Sequence, residues 1–161
     1  MLALASAAPD LPIKTHLGFE GQLSTLWQEG PLILFFYPKD NTPTCTKEAC
    51  TLQTSLAEYG QVGANVVGAN LDSLKSHANF ARKQGLTFPL IADEGGKLAK
   101  AYDALRNLVV LKLPKRITYV IDRSGHIRGR NHDEFNVDTH LDMIRQTLNK
   151  LSSETTSPGS Q

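Results

Sequence analysis

Cys45 and Cys50 are the only thiols in a chain of 161 residues, and they lie five positions apart in the stretch PKDNTPTCTKEAC. Two cysteines are too few for a disulfide framework, and a pair this close points to redox or metal chemistry. Thr42 suits a helix N-cap, and Pro43 suits the first helical position, where the missing N–H of proline costs nothing. Cys45 then occupies the third helical position, where a capping box carries Glu. A negative group there meets unpaired backbone N–H groups and the positive end of the helix dipole. The thiolate, which is the nucleophilic form, is favoured at such a place.

Cys45, Ala49, Leu52 and Leu56 recur at spacings of four, three and four, so the cysteine shares an apolar stripe that faces the core. Its sulfur is expected in a pocket. Cys50 on an intact helix lies about 8.6 Å from Cys45 between Cα atoms and points about 140° away. A disulfide needs about 7 Å or less, so the two could bond only if the first turns unwind. A bond of that kind would switch between two local structures, which fits reversible redox work.

The elements that must hold this site follow from hydrophobic periodicity. The segment Ile13 to Leu26 is polar and punctuated by glycine, with GFEG as the turn of a small hairpin. PLILFFYP is a continuous apolar run ended by proline, the mark of a strand buried on both faces, and NVVGA repeats that signal more weakly. Between them a helical pattern runs from Thr42 to about Tyr59, giving a strand-helix-strand unit with parallel strands. LKSHANFARKQG predicts a second helix closed by Gly85, FPLIAD a short strand, and Lys97 to Leu105 a further helix. ITYVID and HIRGRN predict two strands joined at RSG, followed by an amphipathic helix over Thr139 to Leu151 with Leu141, Ile144 and Leu148 on one face. Residues 1–151 are expected to form one domain, with a polar, disordered tail from 152 to 161.

Composition narrows the function classes. With 17 basic and 16 acidic residues the formal net charge is +1, which offers no field for nucleic acid or an anionic membrane. No apolar run reaches the roughly 20 residues of a membrane span. The opening MLALASAAPDLP lacks a basic n-region and reads as a plain N-terminus, which implies a soluble cytoplasmic protein. His16, His77, His126, His132 and His140 show no metal-ligand spacing and are expected on the surface or in packing.

FYPKDNTPTCTKEAC resembles the active-site signature of the peroxiredoxins, P-x-x-x-T-x-x-C, with Pro38, Thr42 and Cys45 in register. The second cysteine and the EAC triplet are similar to the subgroup called PrxQ or bacterioferritin comigratory protein. Downstream, KRITYVIDRSGHI resembles the family segment in which an arginine enters a strand, which maps the active-site arginine onto Arg116 in preference to the nearby Arg106. Between them, ALRNLVVLKLPKR departs from the family pattern by being apolar.

The resemblance implies a thioredoxin-like α/β fold with a central mixed sheet, flanking helices and an N-terminal hairpin. Cys45 would attack the terminal oxygen of hydrogen peroxide or an organic hydroperoxide and become a sulfenic acid. Thr42, backbone N–H groups and Arg116 would orient the peroxide and stabilise the departing oxygen, Pro38 would shield the sulfur, and Glu48 would support Arg116. Cys50 would resolve the sulfenic acid as an intramolecular disulfide, reduced by thioredoxin or a similar dithiol. No metal or organic cofactor is implied, and a monomer suffices. Two rivals are a copper chaperone on the same fold, which would bring its cysteines closer in sequence, and a protein disulfide oxidoreductase, which would need C-x-x-C.

Overall fold

Apolar runs form strands and amphipathic stretches form helices in the computed structural model, which describes residues 1–107 and 110–155. An N-terminal hairpin of β1 (Pro12–Lys14) and β2 (Glu20–Gln22) leads through a 3-10 turn (Leu23–Trp27) to β3 (Leu32–Phe36), α1 (Pro43–Thr54), α2 (Leu56–Gln61) and β4 (Asn65–Asn70). Then follow α3 (Leu74–Gln84), β5 (Leu90–Ala92), α4 (Lys97–Ala101), β6 (Leu105–Asn107), β7 (Lys112–Pro114), β8 (Ile117–Ile121), β9 (Ile127–His132) and α5 (Val137–Thr155). The central sheet has the order β5-β4-β3-β8-β9. β3 pairs parallel with β4 and antiparallel with β8, so the sheet is mixed, as expected.

Every residue of β3 is buried, because the strand is covered on both faces. Ile33, Phe35 and Tyr37 pack with Cys45, Ala49 and Leu52 of α1, Phe80 of α3, and Ile144 and Leu148 of α5. Leu34 and Phe36 pack on the opposite face with Leu23 and Trp27 of the 3-10 turn, Leu98 and Ala99 of α4, and Tyr119 of β8. The alternation along a single strand thus builds two cores, and Cys45 belongs to one of them.

Four boundaries differ from expectation. Glu20 and Gly21 lie within β2, so the hairpin turn falls earlier and carries Gly18 at φ 92°. The helix expected to reach Tyr59 breaks at Ser55, after Thr51 and Thr54 hydroxyls donate back to the carbonyls of Lys47 and Cys50; such back-bonding loosens a helix. The helix expected through Leu105 stops at Ala101, and Leu105 instead opens the β6–β7 hairpin, where Val110 and Leu111 are exposed. α5 starts at Val137 and continues through Thr155, four residues into the stretch expected as a tail; residues 156–161 lie outside the described residues. Gly85 closes α3 in the left-handed conformation, φ 67°, as its position predicts. No helix among the described residues is long and apolar enough to cross a membrane.

Candidate active site

The loop from Tyr37 to Thr42 carries the chain out of the parallel edge of β3 and into α1, so the start of α1 faces the C-terminal end of the strand. Thr42 is the N-cap, with extended backbone at φ −96° and ψ 151°, and Pro43 takes the first helical position. The Thr42 hydroxyl does not cap the helix. It donates to the carbonyl of Lys39 at 2.9 Å and so pins the loop to itself. The first turn of α1 has no side-chain cap, which leaves its amide donors for a bound anion or peroxide oxygen. Cys45 is 1% exposed within that turn, buried on the core side as its stripe predicted, and Pro38 is half-buried where the loop leaves β3.

Arg116 reaches this pocket through strand register. β8 runs antiparallel to β3 with Ile117 opposite Phe36, so the residue before Ile117 lies beside the chain end from which the cysteine loop departs. Its Nη2 donates to Cys45 Sγ at 3.2 Å, and its Nη1 donates to Glu48 Oε1 at 2.9 Å. Glu48, one helical turn beyond Cys45, is 1% exposed, and its Oε2 has no hydrogen-bond partner among the described residues. Arg106 does not join the cysteine; its Nη2 lies 3.6 Å from Glu134.

Burial pushes the Glu48 carboxyl up to about 7, outweighing the attraction of Arg116. Burial pulls the Arg116 guanidinium down, but Glu48 and Cys45 together outweigh that and hold it above its ordinary value. The site therefore keeps a fixed positive charge against the sulfur.

Sequence reasoning missed the supports. Glu134 holds Arg116 through two bonds: Arg116 Nε donates to the Glu134 carbonyl at 2.9 Å, and the Arg116 amide donates to its carboxylate at 3.0 Å. That carboxylate also meets His132 Nε2 at 2.6 Å. His140 is 1% exposed; its Nε2 faces the Asp133 carbonyl at 2.8 Å and its Nδ1 faces the Thr118 hydroxyl at 2.9 Å, an arrangement that a neutral ring satisfies. Burial lowers its pKa, in keeping with that form. On the other side, Tyr37, Asp40 and His77 form a buried cluster behind the cysteine loop. A polar residue between Pro38 and Thr42 was the one signal available for Asp40.

Cys50 is partly buried on the same unbroken helix, free of any disulfide, with Sγ 3.6 Å from Gln84 Oε1. Among the described residues no group of three His, Cys, Asp or Glu could hold a metal ion. Two clefts lie elsewhere. One of about 690 Å³ lies between the N-terminal hairpin and the segment after β5, and one of about 440 Å³ lies beside Pro31 and Asp122 at the opposite end of β3; neither is lined by Cys45, Glu48 or Arg116.

The family described as AhpC/TSA matches residues 4–130. A chloroplastic peroxiredoxin Q of Sedum lineare is 37% identical over 146 residues, covering 91% of this chain and 77% of the relative. A putative peroxiredoxin of Mycobacterium tuberculosis is 35% identical, covering 89% of this chain and 94% of the relative. Among solved structures, peroxidoxin BcpB from Mycobacterium tuberculosis superposes with a TM-score of 0.87 at 33% identity, covering 93% of this chain and 98% of that one. The Xanthomonas campestris bacterioferritin comigratory protein, whose alkyl peroxide reduction was studied in complex structures, superposes at 0.81 with 30% identity, covering 94% and 98%.

Proposed function

The chain belongs to the AhpC/TSA family, among peroxiredoxins of the Q or bacterioferritin comigratory type, and from that premise we propose how its two cysteines divide a thiol-dependent peroxidase cycle. The Cys45 thiolate attacks the terminal oxygen of a hydroperoxide. The S–O bond forms as the O–O bond breaks, and the other oxygen leaves with the electron pair and takes a proton to become water or an alcohol. Cys45 is left as a sulfenic acid. The Cys50 thiol then displaces water from it, forming the intramolecular disulfide, which a thioredoxin-like dithiol reduces by exchange.

One observation carries this reading: Arg116 places one guanidinium nitrogen on Cys45 Sγ and the other on the buried Glu48. A cation held this way neutralises the attacking thiolate and remains to stabilise charge on the departing oxygen. The uncapped first turn of α1 supplies donors for the peroxide, the Thr42 oxygen, whose own hydrogen goes to Lys39, accepts from the peroxide O–H, and Pro38 limits access of water. Hydrogen peroxide and organic hydroperoxides are the substrates of this reading; a monomer suffices, because both sulfurs of the disulfide come from one helix, and the cytoplasm is the compartment of this reading.

Mixing reduced protein with one equivalent of hydrogen peroxide, quenching with an alkylating reagent and measuring intact and peptide masses tests it. Loss of two hydrogens mapped to a Cys45–Cys50 link is expected. Recovery of both thiols alkylated, with no trapped sulfenic acid, would reject it.

A further inference from the structure

Asp40 is a carboxylate placed where it should be costly. It is 4% exposed, yet its oxygens are fully engaged: Oδ1 accepts from the Tyr37 hydroxyl at 2.5 Å and Asn70 Nδ2 at 3.1 Å, while Oδ2 accepts from the Ser76 hydroxyl at 2.8 Å and faces His77 Nδ1 at 2.8 Å. His77 is completely buried, and its other nitrogen, Nε2, faces the Ile91 carbonyl at 2.9 Å. A carbonyl only accepts, so Nε2 carries a hydrogen. Nδ1 faces a carboxylate already supplied with three other donors. One proton therefore lies between Nδ1 and Oδ2, and His77 and Asp40 form a hydrogen-bonded pair inside the protein.

This pair joins segments far apart in sequence. Asp40 belongs to the cysteine loop, Asn70 to the end of β4, Ser76 and His77 to α3, and Ile91 to β5. The main chain is tied as well: the Asp40 amide donates to Asp72 Oδ2 at 2.8 Å, and Asn41 follows in the left-handed conformation at φ 64°. Tyr37 connects the cluster to the peroxide pocket, since its ring lies in the same core as Cys45. A buried polar pair adds little stability compared with well-packed apolar residues, but it specifies one arrangement of the groups it joins. The arrangement specified here is that of residues 37–42, the only connection between β3 and the helix carrying Cys45.

We propose that the Asp40–His77 pair is a positioning device for peroxide reduction, holding the loop so that Pro38, Thr42 and the first turn of α1 are aimed at the peroxide. The inference rests on the cysteine roles proposed above. Peroxide attack depends on the pair, whereas closing the disulfide, which requires α1 to leave that conformation, does not.

Single-turnover stopped-flow kinetics separate the two steps. His77→Ala and the near-isosteric Asp40→Asn are expected to lower the second-order constant for hydrogen peroxide by about 10- to 100-fold, while the first-order closure of the disulfide stays unchanged or quickens. Constants for attack within about twofold of the parent protein would overturn the proposal, and so would equal losses in both steps, the mark of a merely structural role. Nitrogen NMR of the His77 ring in the unaltered protein decides the matter if the variants do not fold. A hydrogen bond between Nδ1 and the Asp40 carboxyl is expected, and an Nδ1 without one would overturn the pair. An unaltered protein that ignores peroxide would remove the cysteine reading itself, a result distinct from a reactive parent with indifferent variants.

Discussion

Glu48 engages Arg116 through one oxygen and leaves the other unbonded in the core, so its charge is held at some expense to the fold. Its folded-state pKa of about 7 lies above the ordinary 4.5, so the folded protein retains a proton that the unfolded chain releases between those values. Stability contributed by this group is complete below pH 4.5 and declines as pH rises to about 7, by about 3 kcal/mol in all. Glu48→Gln keeps an acceptor for Arg116 and removes the titration. Urea unfolding across this interval is expected to show a shallower decline for the variant than for the parent protein. Parallel curves would mean that Glu48 is already ionised in the folded state at low pH.

At the scale of elements, α1 is secured unevenly. Gln53 exchanges two hydrogen bonds with Thr87, Nε2 donating to its hydroxyl and Oε1 accepting from its amide, both at 2.9 Å, so the C-terminal half is tied to the segment entering β5. The first turn has no side-chain cap. On the proposed cycle, once Cys45 gives up its bond to Arg116, unwinding is expected to begin at the N-terminal end and to stop near Gln53, which brackets both sulfurs. The Cys50 sulfur gives up a 3.6 Å contact with Gln84. Far-UV circular dichroism is expected to lose one to two helical turns, roughly 4–7 residues, when peroxide oxidises the protein, and to regain them with a dithiol. An unchanged spectrum would mean that the sulfurs meet without unwinding.

The whole molecule places the site by stacking two cores on one sheet. β3 contributes to both, and its neighbour β4 leaves room for the larger rings: Gly68 lies opposite Phe35 in the parallel register, and a Cβ there would come 2.8 Å from the Phe35 ring and 2.9 Å from a Leu90 methyl. Phe35 in turn stacks on Tyr37 with ring centroids 5.3 Å apart, so packing in the sheet continues into the loop that presents the cysteine. Gly68→Ala is expected to overpack this layer and cost about 1–3 kcal/mol in urea unfolding. A variant as stable as the parent would show that the rings shift freely, and would weaken the link drawn here between sheet packing and loop position.

Local signals were enough for much of this protein. The apolar run of β3, the threonine and proline that start α1, the glycine that ends α3 and the stripe joining Cys45 to Leu52 depend on residues a few positions apart, and each is where periodicity and capping predict it. The cysteine motif alone pointed to redox chemistry at a helix start and, through its resemblance, to the family. Tertiary structure decided what depends on partners distant in sequence. Arg116 meets Cys45 across 71 positions because β8 runs antiparallel to β3 in one register. Glu48, which the resemblance cast as a support for Arg116 while its helix position fitted a solvated residue equally well, is buried in contact with that arginine. Asp40 and His77 likewise find each other only when α3 packs behind the loop, since a polar side chain is stable in the interior only where the fold brings its partner.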